Sequence, residues 1–140
     1  MNMSVKIYTD GGSRGNPGPS AFAVVVCRDG KIIHRHSEYM GVNTNNAAEY
    51  RGLIYAIGHA LDAGYDDVEF ITDSKLVAEQ MNGRYKVKAR GLLAMYEDAL
   101  AMSSNIAGVR FTHVRRSDPM IAVADALLNR KMDEHLSREK

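Results

Sequence analysis

The stretch from residue 5 to residue 19 places the strongest limits on how this chain can fold. Its first part, 5–9, alternates apolar and polar residues, which is typical of a short β-strand. Its second part holds four glycines, two prolines and an asparagine. We expect no regular element to continue there, because proline has no amide hydrogen and glycine favours turns. Asp10 stands between the two parts, where α/β proteins often place their chemistry, although a role in capping the turn would also fit.

Length and composition are those of one globular domain spanning 1–140. The chain is 45% hydrophobic and 25% charged, and its 140 residues can enclose a single core. The only cysteine, Cys27, excludes a disulfide within the chain and a CxxC metal site. We expect no contact with membranes and a cytoplasmic location, since no apolar run approaches the ~20 residues of a membrane span and no signal peptide is recognisable.

The charge balance limits how a polyanion could be held. A formal net charge of +1 is too small for general attraction to nucleic acid, so local patches would be needed. Two basic clusters are candidates, although either could equally be solvated surface: Arg84, Lys86, Lys88 and Arg90, and the pair Arg115 and Arg116.

Hydrophobic periodicity predicts the element order βββαβααβα, which is typical of an α/β protein with a mixed sheet and helices on its faces. Asp29-Gly30 is a hairpin signal between the second and third strands. The predicted strands are 5–9, 21–28, 31–40, 67–72 and 109–114, and the predicted helices are 47–63, 75–81, 88–103 and 120–135.

Two features allow competing interpretations. Asn46 and Glu49 have the spacing of a helix capping box, which is a structural alternative to any functional role for Glu49. His34 and His36 lie two apart on a predicted strand, where they could bind a metal or simply form a half-exposed face.

Four carboxylates stand out by position. Asp10 and Asp73 each follow a strand that ends in threonine, so parallel neighbouring strands would bring them together. Glu49 and Asp125 lie near the starts of predicted helices that could pack over that edge. Gathered carboxylates repel one another unless cations neutralise them, and an all-oxygen set favours Mg²⁺ or Mn²⁺. Two such ions can support phosphodiester cleavage.

Four segments resemble, in matching order, the four motifs of type 1 ribonuclease H: DGGSRGNPGP at 10–19, TNNAAEY at 44–50, ITDS at 71–74 and VADAL at 123–127. The resemblance covers nearly the whole chain. It implies a ribonuclease H-like fold, with a five-stranded mixed sheet made of an antiparallel meander and parallel strands. It also implies endonucleolytic cleavage of the RNA strand of RNA–DNA hybrids, leaving 5′-phosphate and 3′-hydroxyl ends.

The resemblance also implies a role for each matching carboxylate. Asp10 would bridge two Mg²⁺ or Mn²⁺ ions, and Glu49 and Asp73 would complete the site on the leaving-group side. Asp125 would join Asp10 at the ion that delivers the attacking water.

The substrate contacts implied by the resemblance involve both strands of the hybrid. Gly11, Asn16 and Asn45 match positions that touch the RNA strand and its 2′-hydroxyls, which distinguish RNA from DNA. Thr44 and Asn46 match a pocket for a phosphate of the DNA strand. Lys75 stands where many members have glutamine, and it can still donate to acceptors in the minor groove.

The loop before the last aspartate departs from the family pattern. Many members carry a glycine-flanked histidine there, whereas this chain reads HVRRSDPM at 113–120. We expect His113 to end the preceding strand and Arg115 or Arg116 to take over, holding a phosphate without moving protons. Residues 82–89 lack the basic helical protrusion of some bacterial members, so hybrid affinity should be modest and steeply dependent on salt.

Two other functions remain open from the sequence: a nuclease or transferase of the same fold that acts on DNA, and a binding module without chemistry. We expect the protein to act as a monomer.

Overall fold

The computed structural model describes residues 4–138 and contains one five-stranded mixed sheet with four helices. The predicted element order and fold class are confirmed. The strands are β1 (Ser4–Ser13), β2 (Gly18–Arg28), β3 (Lys31–Asn43), β4 (Asp67–Thr72) and β5 (Gly108–His113), and the helices are α1 (Asn45–Ala63), α2 (Lys75–Met81), α3 (Arg90–Ser103) and α4 (Pro119–Arg138).

The sheet combines two kinds of strand pairing, in the order β3-β2-β1-β4-β5. β1, β2 and β3 form an antiparallel meander, and β1, β4 and β5 pair in parallel. Asp29 and Gly30 make the predicted hairpin turn with φ values of 53° and 74°. The central strand β1 therefore pairs antiparallel on one side and parallel on the other.

Helices cover the two faces of the sheet through separate hydrophobic clusters. On one face α1 and α3 pack over a cluster that includes Ile7, Val24, Phe70 and Ile57. On the other face α4 packs over small side chains of β2, and that cluster contains Ala21, Ala23, Val25, Cys27, Ala124, Leu128 and Met132. None of the helices within residues 4–138 is long and apolar enough to cross a membrane.

The glycines after Asp10 do not end β1, contrary to the prediction from the sequence. The strand runs to Ser13, with Asp10 opposite Ala23 and Gly12 opposite Ala21. An extended backbone with a full set of ladder partners accepts glycine, which only weakens a strand by adding no side-chain packing. Asp10 thus lies inside β1 and is the first residue beyond its pairing with β4.

Several predicted boundaries were also wrong. β3 continues through residues 41–43, which were expected to form a loop, because they still pair with β2. α1 begins at Asn45, two residues early, and its N-cap is Thr44, whose hydroxyl accepts a bond from the Ala47 N–H at 3.2 Å. The proposed capping box of Asn46 and Glu49 is therefore wrong. α3 begins two residues late, at Arg90, and α4 extends beyond both predicted ends.

The two strand histidines pack against aromatic rings. His34 stacks on His59 with ring centroids 4.3 Å apart, and His36 stacks on Tyr55 at 4.0 Å. Within residues 4–138, neither histidine belongs to a group of three side chains that could hold a metal ion. The interpretation of a half-exposed strand face fits these contacts.

Gly11 lets the backbone of α1 approach β1 closely. A Cβ at this position would lie 2.5 Å from the backbone nitrogen of Glu49 and 2.6 Å from the carbonyl oxygen of Ala48. Backbone atoms in a packed helix cannot yield as a flexible side chain can, so only glycine fits here.

We expect Gly11→Ala to lower the free energy of unfolding by about 3 kcal/mol, the upper range for overpacking a core. Gly12→Ala is the matched control, because its Cβ would meet only Leu128 at 3.6 Å. Urea unfolding of both variants measures the difference. Equal stability of the two variants would contradict the close approach of the α1 backbone to Gly11.

Candidate active site

The register between β1 and β4 brings the first two candidate carboxylates together. Thr9 pairs with Thr72 at the last position of the parallel ladder. Asp10 and Asp73 are the next residues of the two chains, so both follow the carboxyl end of the pairing, as predicted. The Thr72 hydroxyl accepts a bond from the Ser74 N–H at 3.0 Å, which shapes the turn that contains Asp73.

Glu49 reaches the same place from the first turns of α1. Its carboxylate accepts a hydrogen bond from the Gly11 N–H through one oxygen and from the Thr72 hydroxyl, at 3.3 Å, through the other. The residue is only 5% exposed. These two donors fix the carboxylate in one orientation beside Asp10.

The three carboxylates form a cluster suited to a metal ion. Asp10, Glu49 and Asp73 each offer one oxygen, and the three oxygens lie within 4.8 Å of one another. Among the described residues, no other three potential metal ligands lie this close together. Its oxygen-only donor set suits a hard cation.

Asp125 lies beside this cluster without belonging to it. It projects from the second turn of α4 into the same cavity, which has a volume of about 300 Å³. Its charge contributes to raising the pKa of Asp10. The cavity is lined by Asp10, Gly11, Gly12, Ser13, Arg14, Asn45, Glu49, Asp73, Ser74, Arg116, Asp125, Leu128, Asn129 and Met132.

The electrostatics of the cluster favour neutralisation. Burial raises the pKa of Asp10, and the charges of Glu49, Asp73 and Asp125 raise it further. Burial also raises the pKa of Glu49, with Asp73 adding to the shift, while the bond from Gly11 opposes it. The cluster therefore binds either protons or cations in preference to standing fully ionised.

The predicted substrate residues divide between two cavities. Gly11, Asn45 and Arg116 line the carboxylate cavity. Asn16, Thr44 and Asn46 line a neighbouring cavity of about 520 Å³ that reaches the start of α3. The Asn16 side-chain oxygen accepts a bond from the Asn45 N–H at 3.0 Å, which joins the two cavities.

Lys75 and Arg115 are exposed and line neither cavity. His113 ends β5, as predicted, and lines a different cavity beside Asn82 and Arg84. Of the two arginines in the loop after β5, Arg116 therefore lines the cavity that contains the carboxylates, and Arg115 does not.

The basic cluster of residues 84–90 is solvent exposed at all four cationic positions, and Arg84 pairs with Glu79 at 2.9 Å. A role for this cluster in binding nucleic acid stays a prediction.

Sequence reasoning missed three residues that shape the site: Thr72, Arg14 and Asn129. Thr72 was visible as the repeated threonine before each strand-end aspartate. Arg14 was visible as a cation within the turn motif. Asn129 lies one helical turn after Asp125, and no signal in the sequence marked it.

Comparison with known proteins places the chain in a family. A family model described as reverse transcriptase-like matches residues 8–131. A bifunctional protein of Mycobacterium tuberculosis is 41% identical over 133 residues, covering 94% of this chain and 36% of the relative. Ribonuclease HI of Halobacterium salinarum is 40% identical over 141 residues, covering 93% of this chain and 65% of the relative.

A solved structure of the ribonuclease H1 named LC11, in complex with an RNA/DNA hybrid, superposes with a TM-score of 0.87 at 37% identity. The match covers 94% of this chain and 99% of that one. The chain spans about a third of the mycobacterial relative and about two thirds of the haloarchaeal one. The motif order, the sheet, the carboxylate cluster and these matches together show that the chain belongs to the type 1 ribonuclease H family.

Proposed function

We propose that this protein is an endonuclease that hydrolyses the RNA strand of RNA–DNA hybrids and leaves 5′-phosphate and 3′-hydroxyl ends. The observation that carries the proposal is the convergence of Asp10, Glu49 and Asp73 within 4.8 Å, from three separate elements of the fold. Membership of the family and a relative solved with a hybrid support the choice of substrate.

The four carboxylates would hold two Mg²⁺ or Mn²⁺ ions, with Asp10 shared between them, Glu49 and Asp73 on one side and Asp125 on the other. The fit rests on the oxygen-only donor set and on the raised pKa values of Asp10 and Glu49, because burial and mutual repulsion disfavour their ionised forms unless a cation binds. When bound, such ions supply an activated water and stabilise the leaving oxygen.

The protein's own contribution is orientation. The Gly11 N–H and the Thr72 hydroxyl hold both oxygens of Glu49, so that carboxylate is fixed before any ligand arrives. The hydrogen bond from the Ser74 N–H to the Thr72 hydroxyl shapes the backbone turn that carries Asp73. Groups held in this way lose little conformational freedom on binding, which favours both affinity and catalysis.

Recognition of the hybrid would use the two joined cavities. Gly11 and Asn45, beside the carboxylates, would face the RNA strand with Asn16, and contacts to the 2′-hydroxyls would select RNA. Thr44 and Asn46, in the neighbouring cavity, would bind a phosphate of the DNA strand. Arg116 would hold a phosphate at the cleavage site, with Lys75 and Arg115 as outer contacts.

A panel of labelled substrates tests the function directly. We expect cleavage of the RNA strand of a hybrid in Mg²⁺ or Mn²⁺, with no cleavage of duplex DNA. Cleavage of DNA alone would instead assign a DNA nuclease of the same fold. Binding of the hybrid without turnover in either metal would assign a binding module.

Asp10→Asn tests the assignment of the carboxylates. We expect it to lower kcat at least about 10³-fold, because it removes the ligand shared by both ions, while the folded state is retained. Asp62→Asn on the exposed side of α1 is the matched control and should cleave normally. Normal cleavage by Asp10→Asn in metal-containing buffer would refute the proposed centre.

The raised pKa of Asp10 also predicts how stability depends on pH without metal. In the folded state Asp10 keeps its proton above pH ~4, whereas an aspartate in the unfolded chain loses its proton there. Stability of the metal-free protein should therefore fall as pH rises from that value towards the folded-state pKa. At pH 8 in EDTA, we expect Asp10→Asn to be more stable than wild type by at least about 1 kcal/mol, the cost of roughly one pKa unit.

Urea unfolding at pH 5 and pH 8 measures the effect, which should shrink at the lower pH. Adding Mg²⁺ should stabilise wild type more than the variant, because the ligand binds the folded state. An Asp10→Asn variant that is less stable than wild type at pH 8 in EDTA would contradict the electrostatic account.

A further inference from the structure

Arg14 ties the turn after β1 to helix α4. Its guanidinium pairs with the Asp133 carboxylate at 2.7 Å and donates to the side-chain and backbone oxygens of Asn129, at 3.2 and 3.3 Å. Asn129 in turn donates its side-chain N–H to the backbone oxygen of Asp125 at 3.0 Å. The Arg14 side chain thus contacts two successive turns of α4, the helix that carries Asp125.

Backbone hydrogen bonds hold the strand end of this connection. Arg14 lies four residues after Asp10, and its backbone N–H donates to the Pro19 carbonyl at 2.8 Å, which closes the turn between β1 and β2. The Ser13 hydroxyl donates to the backbone carbonyl of Asn43 at 3.0 Å, so the base of the turn is also held to β3. Arg14 therefore starts from a hydrogen-bonded backbone position at the end of the strand that carries Asp10.

The packing of α4 explains why such a connection matters. α4 packs on small side chains of β2, Ala21 and Ala23, through Ala124, Leu128 and Met132. Burial of apolar surface is non-directional, so it does not by itself set the position of the helix along its axis. Its start is fixed by Asp118, whose side-chain oxygen accepts from the Met120 N–H at 2.9 Å. On the other side of Asp125, Arg14 adds a polar contact to the helix beside the buried side chains of Leu128 and Met132.

We propose that Arg14 is a positioning residue that, through Asn129 and Asp133, sets where Asp125 stands relative to Asp10. The inference rests on the proposed function, because Asp125 is taken there as the ligand that completes the metal centre. The rival role is direct contact between Arg14 and a substrate phosphate, since Arg14 also lines the carboxylate cavity.

A double-mutant cycle separates these roles. The variants are Arg14→Gln, Asp125→Asn and the combination, and Mn²⁺ binding is measured by calorimetry in the absence of hybrid. We expect Arg14→Gln to weaken Mn²⁺ binding roughly 10-fold, the lower range for groups that orient metal ligands. In the Asp125→Asn background the same change should have no further effect, because Arg14 acts through that residue.

Asp133→Asn gives a second test, in which the two roles of Arg14 predict different changes in kcat and KM. If Arg14 positions α4, losing its partner should weaken Mn²⁺ binding and lower kcat with little change in KM. If Arg14 binds substrate, freeing it from Asp133 should lower KM for the hybrid. Glu134→Gln is the matched control, because it removes the same charge from α4 but its partners, Arg130 and Lys131, lie on that helix.

If Arg14 only stabilised the fold, replacing it would lower the Tm without a specific effect on Mn²⁺ binding. In EDTA we expect Arg14→Gln and Asp133→Asn to stay within about 3 °C of the wild-type Tm, the scale of an exposed ion pair. Reversing the pair, with Arg14→Asp and Asp133→Arg together, should restore part of the Mn²⁺ affinity that either single change loses.

The proposal is overturned if Arg14→Gln leaves Mn²⁺ binding unchanged, or if its effect adds in full to that of Asp125→Asn. These measurements do not depend on turnover. If wild type binds Mn²⁺ but fails to cleave hybrid, the proposed function fails, while the calorimetric cycle still decides the role of Arg14.

Discussion

The parallel pairing of β1 with β4 is the constraint on which the rest of the site depends. The last paired positions, Thr9 and Thr72, place the two following aspartates side by side at one edge of the sheet. A shift of one residue would turn one aspartate to the opposite face, because successive strand side chains alternate. The hydrophobic cluster under α1 holds the register, since Ile7 and Phe70 face it from directly paired positions.

The contact between Gly11 and α1 then determines how much charge is buried at that edge. It lets the helix backbone come within van der Waals distance of β1 and places Glu49 beside Asp10 with its oxygens already bonded. The fold thus keeps carboxylates together despite their repulsion. A cation bound there would relieve that repulsion, so the metal-free protein would be prepared for its proposed ligand at a cost to its own stability.

Much of this arrangement could be predicted from the sequence, because it depends on local patterns that repeat. The threonine–aspartate ending of two strands predicted that Asp10 and Asp73 converge, and helical periodicity placed α1 and α4. What failed depended on tertiary contacts. Gly11 and Gly12 read as a turn, yet ladder partners on β2 keep them extended. Glu49 matched a capping box, yet it bonds Gly11 and Thr72 across the fold, which no spacing within α1 indicates.

The separate packing of α4 means that the four carboxylates are supported by two different hydrophobic clusters. Asp10, Glu49 and Asp73 belong to the central strands and to α1, whereas Asp125 arrives on a helix that docks through its own small cluster. Partial opening of that helix would withdraw one carboxylate and leave the other three in place. The free energy of this sub-global opening, observable as amide exchange in α4, would therefore set the fraction of molecules in which all four carboxylates lie together at any moment.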